Sequence, residues 1–518
     1  MLFNSYIFIF VFLPITLIGF ALFQKWGKAR MMTAWLVLCS LFFYGWWNPI
    51  YLLLLGFSIG INFFVGRQLS NQSSKSILMG GVLFNLGLLG YFKYAGFFGS
   101  MIGMSVGDII LPLAISFFTF QQITYLIDAA KGKTQEYNFL DYCLFVTFFP
   151  QLIAGPIVHH KDMMPQFANR KLFGLTAQNL AIGMTFFVIG LFKKVVIADE
   201  IAQYATPVFN TADAGGTIYL VEAWVGALSY TFQLYFDFSG YSDMAIGLAR
   251  MFGIQLPLNF FSPYKAASII DFWRRWHITL SHFLRDYLYI PLGGNRKGTF
   301  MRYNNLMITM VLGGLWHGAG WNFLIWGGLH GLYLMVNHAW RGLCSHLSIT
   351  PFASLFGKII SIMITFLSVV IAWVFFRATT FDGATSMLSA MTGTNGVSLP
   401  REGGTHIETA LSHFNIETIA IGVLPIINKP LTAILFILIP IMAIAFIAPN
   451  SAQFMRRILR DPASIDFAKL NKGRALPIIQ KIMPVWKMNI IYAFIVSVMA
   501  VLSFLSLTRI SEFLYFQF

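Results

Sequence analysis

The sequence is short of charge. Of 518 residues only 11% are Asp, Glu, Lys or Arg, against roughly 25% in soluble proteins. That leaves too little polar surface to face water. Cysteine is scarce too. Cys39, Cys143 and Cys344 all lie in or beside apolar runs and have no pairing or metal spacing, so they read as packing residues. There is no Walker loop, no GxSxG, no HExxH and no cysteine–histidine metal spacing. Energy-coupled transport by this chain alone is therefore unsupported, and neither a metal nor a permanently bound cofactor is expected. No repeat at a fixed period and no low-complexity tract is present. One membrane domain over 1–518 is the simplest division, without the two related halves of a transporter.

What is there is apolar. The chain is 57% hydrophobic and 17% aromatic, with a mean hydropathy of +0.70. Its apolar runs are about twenty residues long, the length of a membrane helix; a barrel would show alternating segments of about ten. The expected fold is all-α, a polytopic integral membrane protein of roughly eleven to thirteen hydrophobic helices. The expected spans are 6–23, 31–47, 50–66, 77–96, 110–127, 139–154, 177–197, 218–236, 304–316, 320–340, 356–376, 431–448 and 487–507. The first run lacks a basic leader region and a small-residue cleavage site, so it reads as a retained span.

The net charge of +15 suggests nucleic acid in a soluble protein. In a membrane protein it marks cytoplasmic loops, and no nucleic-acid partner is expected. Lys25, Lys28 and Arg30 place the first loop in the cytoplasm and the N-terminus outside. Loop 451–486, with Arg456, Arg457, Arg460, Lys469, Lys472, Arg474 and Lys481, and segment 250–302 are also cytoplasmic. The acid-rich stretch 378–429, with Asp382, Glu402, Glu408 and Glu417, lies outside. The tail after 487–507 emerges at the external face.

The chemistry concentrates between Asp271 and His330. Arg274, Arg275, His277, His282, Arg285 and Asp286 crowd into about three helical turns. His317 sits in MITMVLGGLWHGAGWNFLIWG, a segment without charge, where the hairpin 304–316 and 320–340 turns inside the membrane. An ionisable side chain there is costly unless it serves a purpose. A lone buried histidine often only bonds a neighbouring helix, but His277 nearby adds weight. Acyl transfer to a hydroxyl needs a base for the hydroxyl proton and a donor for the carbonyl. His330 is more than three turns past His317, so one straight helix cannot hold both at one point, and it reads as structural or supporting. The basic cluster over 265–302 serves equally as headgroup contacts or as a phosphate site for a nucleotide-like donor. Asp237 and Asp243 lie in the aromatic apolar run 229–253; Asp237 and Ser239 read as structural, bonded to backbone or to a basic partner from 265–302.

At FWRRWHITLSHFLRDYLYIPLGG and GGLWHGAGWNFLIWGGLHG the sequence resembles the membrane-bound O-acyltransferase family, in its bacterial polysaccharide-acetylating and D-alanylating branch. MLFNSYIFIFVFLPI, LPLAISFFTFQQITYLID, FPQLIAGPI and FDFSGYSDMAIGLARMFG support the match. The resemblance spans nearly the whole chain and is weakest in 378–480. It implies a ring of tilted helices around a tunnel, with a catalytic region near 229–340. His317 matches the family's essential histidine. His277 matches the second catalytic position, where other branches place Asn or Asp. The resemblance also implies acetyl-coenzyme A as cytosolic donor, held by Arg274, Arg275, Arg285 and Arg296. It further implies a bacterial cytoplasmic (inner) membrane location, an extracytoplasmic SGNH-hydrolase-type partner and a polysaccharide acceptor. The C-terminal helix and tail, 487–518, end in SEFLYFQF, which by composition reads as an interfacial aromatic anchor; its similarity to the terminal aromatic-tyrosine motif of these systems implies instead Tyr515 as an acyl relay. Alternative readings are acylation of a lipid or lipoprotein, and a non-enzymatic scaffold or export component of a polysaccharide secretion complex.

Overall fold

The computed structural model describes the chain except for residues 105, 108, 135–137, 154, 170–172, 350–353, 401–417, 422, 457–484, 508–513 and 515–518. The described residues are overwhelmingly helical, and each apolar run read from the sequence overlaps a helix. A short parallel pair of strands, Val397–Pro400 with Thr418–Ile421, is the exception. Five helices are long and apolar enough to cross a membrane: Phe8–Lys25, Tyr51–Asn71, Lys75–Met101, Ala177–Asp213 and Leu355–Arg377. Large apolar side chains point outward, with Phe436 83% and Ile490 82% exposed. Such surface is unfavourable in water and is neutral in lipid.

Three runs depart from the expected boundaries. The run expected over 139–154 is broken. Phe139–Thr147 ends at Phe148, whose ψ of 107° leaves the helical region, and a short turn Phe149–Leu152 follows with Pro150 in its first positions. Proline fits best in the first turn of a helix, where its missing N–H leaves no bond unmade, and the new turn starts there. The helix expected to end at 197 continues to Asp213. Its hydropathy falls at Asp199 and Glu200, yet Ile201, Ala205, Val208, Phe209 and Ala212 keep one face buried at helical spacing. The run 218–236 likewise belongs to one helix, Leu220–Met251.

Two compact units make up the chain. The first comprises the described residues of 1–192, 239–259 and 487–510. Within it, helices approach to backbone contact. A side chain on Gly183 would strike the Gly247 carbonyl, and one on Gly190 would strike that of Gly240. The seven-residue spacing on both helices makes this a small-residue crossing of the kind that lets membrane helices pack. Asn62 and Asn85 exchange amide hydrogen bonds of 3.2 and 2.6 Å between two neighbouring helices. That pairing removes both amides from lipid.

The second unit comprises the described residues of 193–238 and 260–486 together with Leu514. It contains the helical hairpin Gly298–His317 and Trp321–His346. Gly314 faces Phe323 and Gly327, Gly327 faces Met310, and Gly331 faces Met307. Glycine at these positions lets the two strands of the hairpin pack antiparallel almost without side chains between them.

Candidate active site

His317 is the last residue of its helix. Gly318, in extended conformation, stops the helix, and Gly320 restarts the chain into Trp321–His346. The imidazole is buried. Aromatic rings enclose it: Trp316 at 4.9 Å, Trp326 at 5.1 Å and Phe376 at 5.1 Å between centroids. Phe376 is held in place through Asn322, which donates to the carbonyls of Ala378 (2.8 Å) and Thr380 (2.9 Å). The turn of the hairpin is thereby tied to the end of helix Leu355–Arg377.

The basic segment before the hairpin is not the continuous helix the sequence suggests. Ile269–Trp273 and Ile278–Leu284 are separate short helices. The break falls at His277, which adopts a left-handed backbone with φ 40°. That conformation costs a non-glycine residue about 1–2 kcal/mol, and such residues gather at functional sites. It turns His277 inward. The ring is fully buried, edge-on to Phe238 at 4.9 Å and to Trp316 at 6.2 Å. Trp316 thus touches both His277 and His317. His277 lies outside the apolar spans, and burial pushes its imidazole down to about 3. The ring is neutral at physiological pH, with one nitrogen a donor and the other an acceptor.

His330 stands on the other side of Trp326, at 4.8 Å. The hairpin reverses the chain, so Trp326 lies between His317 and His330, which a straight helix would have separated. His330 is fully buried and further enclosed by Phe272, Trp273, Tyr333 and Trp373. The enclosing tryptophans carry no charge or motif of their own, and sequence reading passed over them.

The four arginines are not equivalent. Arg274, Arg285 and Arg296 are exposed. Arg285 is chelated by both oxygens of Asp286, at 2.7 and 2.9 Å. Arg275 is buried; it pairs with Asp271 at 2.8 Å and donates to the Phe261 carbonyl at 3.4 Å, holding the broken segment together. Asp237 also differs from expectation. Its basic partner is Lys194, at 2.6 Å, and not a residue of 265–302. The signal was present as the pair Lys193–Lys194 inside an apolar run. Asp243 is buried in the first unit. Tyr515 lies outside the described residues. Among those described, no cluster of three His, Cys, Asp or Glu side chains is placed to hold a metal ion.

Known proteins are similar to this chain over most of its length. The family model for MBOAT, membrane-bound O-acyltransferase, matches residues 86–380, which include His277, His317 and His330. A peptidoglycan O-acetyltransferase of Helicobacter pylori is 48% identical over 435 residues, covering 77% of this chain and 81% of that protein. A probable alginate O-acetylase of Azotobacter vinelandii is 43% identical over 407 residues, covering 76% and 78%. That of Pseudomonas aeruginosa is 43% identical over 408 residues, covering 76% and 75%. The chain belongs to the membrane-bound O-acyltransferase family.

Proposed function

We propose that the protein takes acetyl from acetyl-coenzyme A at the cytoplasmic face of the bacterial inner membrane and passes it across for O-acetylation of an envelope or exported polysaccharide. The observation that carries the reading is the pair of buried histidines, His317 and His277, packed against one tryptophan in a family member whose relatives are named as O-acetylating enzymes. His317 accepts the proton of the attacking hydroxyl. The oxygen bonds to the thioester carbonyl carbon, the carbon–sulfur bond breaks, and the thiolate leaves with the proton returned by His317. His277, neutral, donates its N–H to the carbonyl oxygen as negative charge develops there. Arg274, Arg285 and Arg296 meet the nucleotide phosphates at the exposed surface, whereas Arg275 maintains the loop.

In this reading the first attacking hydroxyl is the phenol of Tyr515. Its ordinary pKa near 10 suits both attack beside a base and later departure. The phenolic ester then passes its acetyl to an extracytoplasmic partner of the SGNH-hydrolase type. Labelling cells with radioactive acetate and fractionating wall and exopolysaccharide tests the whole scheme. A deletion strain should lose label from one polysaccharide fraction, and the wild-type gene should restore it. Tyr515→Phe, which removes one oxygen, should not. Unchanged labelling in the deletion strain contradicts the function, and full restoration by Tyr515→Phe contradicts the relay step alone.

A further inference from the structure

Phe376 closes one side of His317 at 5.1 Å and meets Phe323 edge-on at 5.3 Å, so it grips the hairpin on both sides of its turn. It sits in the last turn of Leu355–Arg377. The chain then leaves the helix. Ala378 and Thr380 are extended, and the next helix, Phe381–Met391, starts only after them. Backbone groups in such a segment need partners from outside it. Two side chains from elsewhere in the chain supply them. Asn322, in the first turn of Trp321–His346, donates to the carbonyls of Ala378 and Thr380. Asp213, the last residue of Asp199–Asp213, takes the donors. Its Oδ1 accepts from the Thr379 N–H at 3.1 Å, the Thr380 N–H at 3.0 Å and the Thr380 hydroxyl at 3.0 Å. Its Oδ2 shares the Thr379 N–H at 3.1 Å. The fit is close, since a Cβ on Gly383 would strike this carboxylate.

We propose that Asp213 is a positioning residue for His317: by binding the donors of 379–380 while Asn322 binds the carbonyls of 378 and 380, it fixes Phe376 against the imidazole and holds the ring in the pose that acyl transfer needs. Asp213 touches neither substrate nor the reacting atoms and acts only through this segment. One oxygen, Oδ1, accepts all three bonds. The requirement is therefore an acceptor at that place rather than a negative charge, and asparagine can meet it where alanine cannot. The link to transfer rests on the function proposed above, in which His317 is the base. The clamp itself does not depend on that reading.

The test separates the two. Full-length protein in detergent is treated with diethyl pyrocarbonate, and mass spectrometry follows modification of His317 with time. Modification should be slow in the wild type and faster by about tenfold or more in Asp213→Ala, which loses hydrogen bonds to a charged acceptor. Asp213→Asn should stay close to the wild type. His160, buried in the first unit, should remain slow in every variant, which separates local opening from unfolding. This readout holds whether or not His317 is the base. In parallel, Asp213→Ala should lower kcat for acetyl transfer by about tenfold or more with KM for acetyl-coenzyme A unchanged, and Asp213→Asn should recover most of it. Should Asp213→Ala fail to fold, Gly383→Ala keeps the carboxylate but pushes it aside, in a helix where alanine is otherwise favourable, and should speed His317 modification in the same direction. Equal modification of His317 in the wild type and in Asp213→Ala or Gly383→Ala overturns the proposal, as does equal loss of protection in Asp213→Asn and Asp213→Ala. Faster modification with an unchanged kcat overturns the link to transfer.

Discussion

At the scale of single residues, the site sets a chemical distinction between two histidines. In the proposed mechanism His317 gains and loses a proton in each cycle, so no neutral amide can replace it. His277 has only to donate a hydrogen bond from a buried, neutral ring, and it must do so from a left-handed backbone. Asparagine meets both demands, since it carries an amide donor and tolerates that conformation better than most residues. His277→Ala should reduce kcat by about 10²–10³-fold, the usual effect of losing one donor to a developing oxyanion. His277→Asn should recover a substantial part. Because His277 stays neutral throughout the working range, its replacement should scale the pH–rate profile without moving the acid limb. Rates measured from pH 5 to 9 for both variants check this. His317 was legible in the sequence as an ionisable group in an uncharged run, and His277 only through its place in the basic cluster and the family motif. The place of His330 was not: it packs on Trp326 one turn away in its own helix, and only the hairpin turn brings Trp326 to His317.

At the scale of elements, hydrophobic run length located the helices because lipid imposes a nearly uniform length on them. It failed where burial, rather than hydropathy, sustains the helix. The second half of Ala177–Asp213 is polar by composition yet keeps one buried face. Likewise, nothing in the string RRWH announces a left-handed residue that divides two short helices. The hairpin that carries His317 depends on one close approach in particular. A Cβ at Gly314 would collide with the Phe323 carbonyl and the Gly327 backbone, whereas one at Gly328 meets nothing within 4 Å. Gly314→Val should therefore destabilise the protein by about 1–3 kcal/mol, the usual cost of overpacking, and displace His317 enough to impair transfer. Gly328→Val should do neither. Thermal unfolding in detergent, paired with transfer rates, reads both effects, and equal behaviour of the two variants would contradict the packing described.

At the scale of the whole molecule, the described residues to which the proposed mechanism gives chemistry all lie in the second unit, while the first contributes glycine crossings and amide pairing between helices. Composition showed that the chain is a membrane protein, but no pattern in it revealed that residues as distant as Lys194 and Asp237 converge. Such long-range pairings leave no periodic trace. The account turns on His317 as the base for acyl transfer from a cytosolic donor. The direct measurement is the initial rate of polysaccharide acetylation from radiolabelled acetyl-coenzyme A in inverted membrane vesicles. The vesicles come from a deletion strain carrying either the wild-type protein or His317→Ala at matched amounts of folded protein. The account predicts label incorporation with the wild type and a loss of about 10²–10⁴-fold with His317→Ala, the contribution expected of a general base. Incorporation by His317→Ala at a rate near the wild type would contradict it.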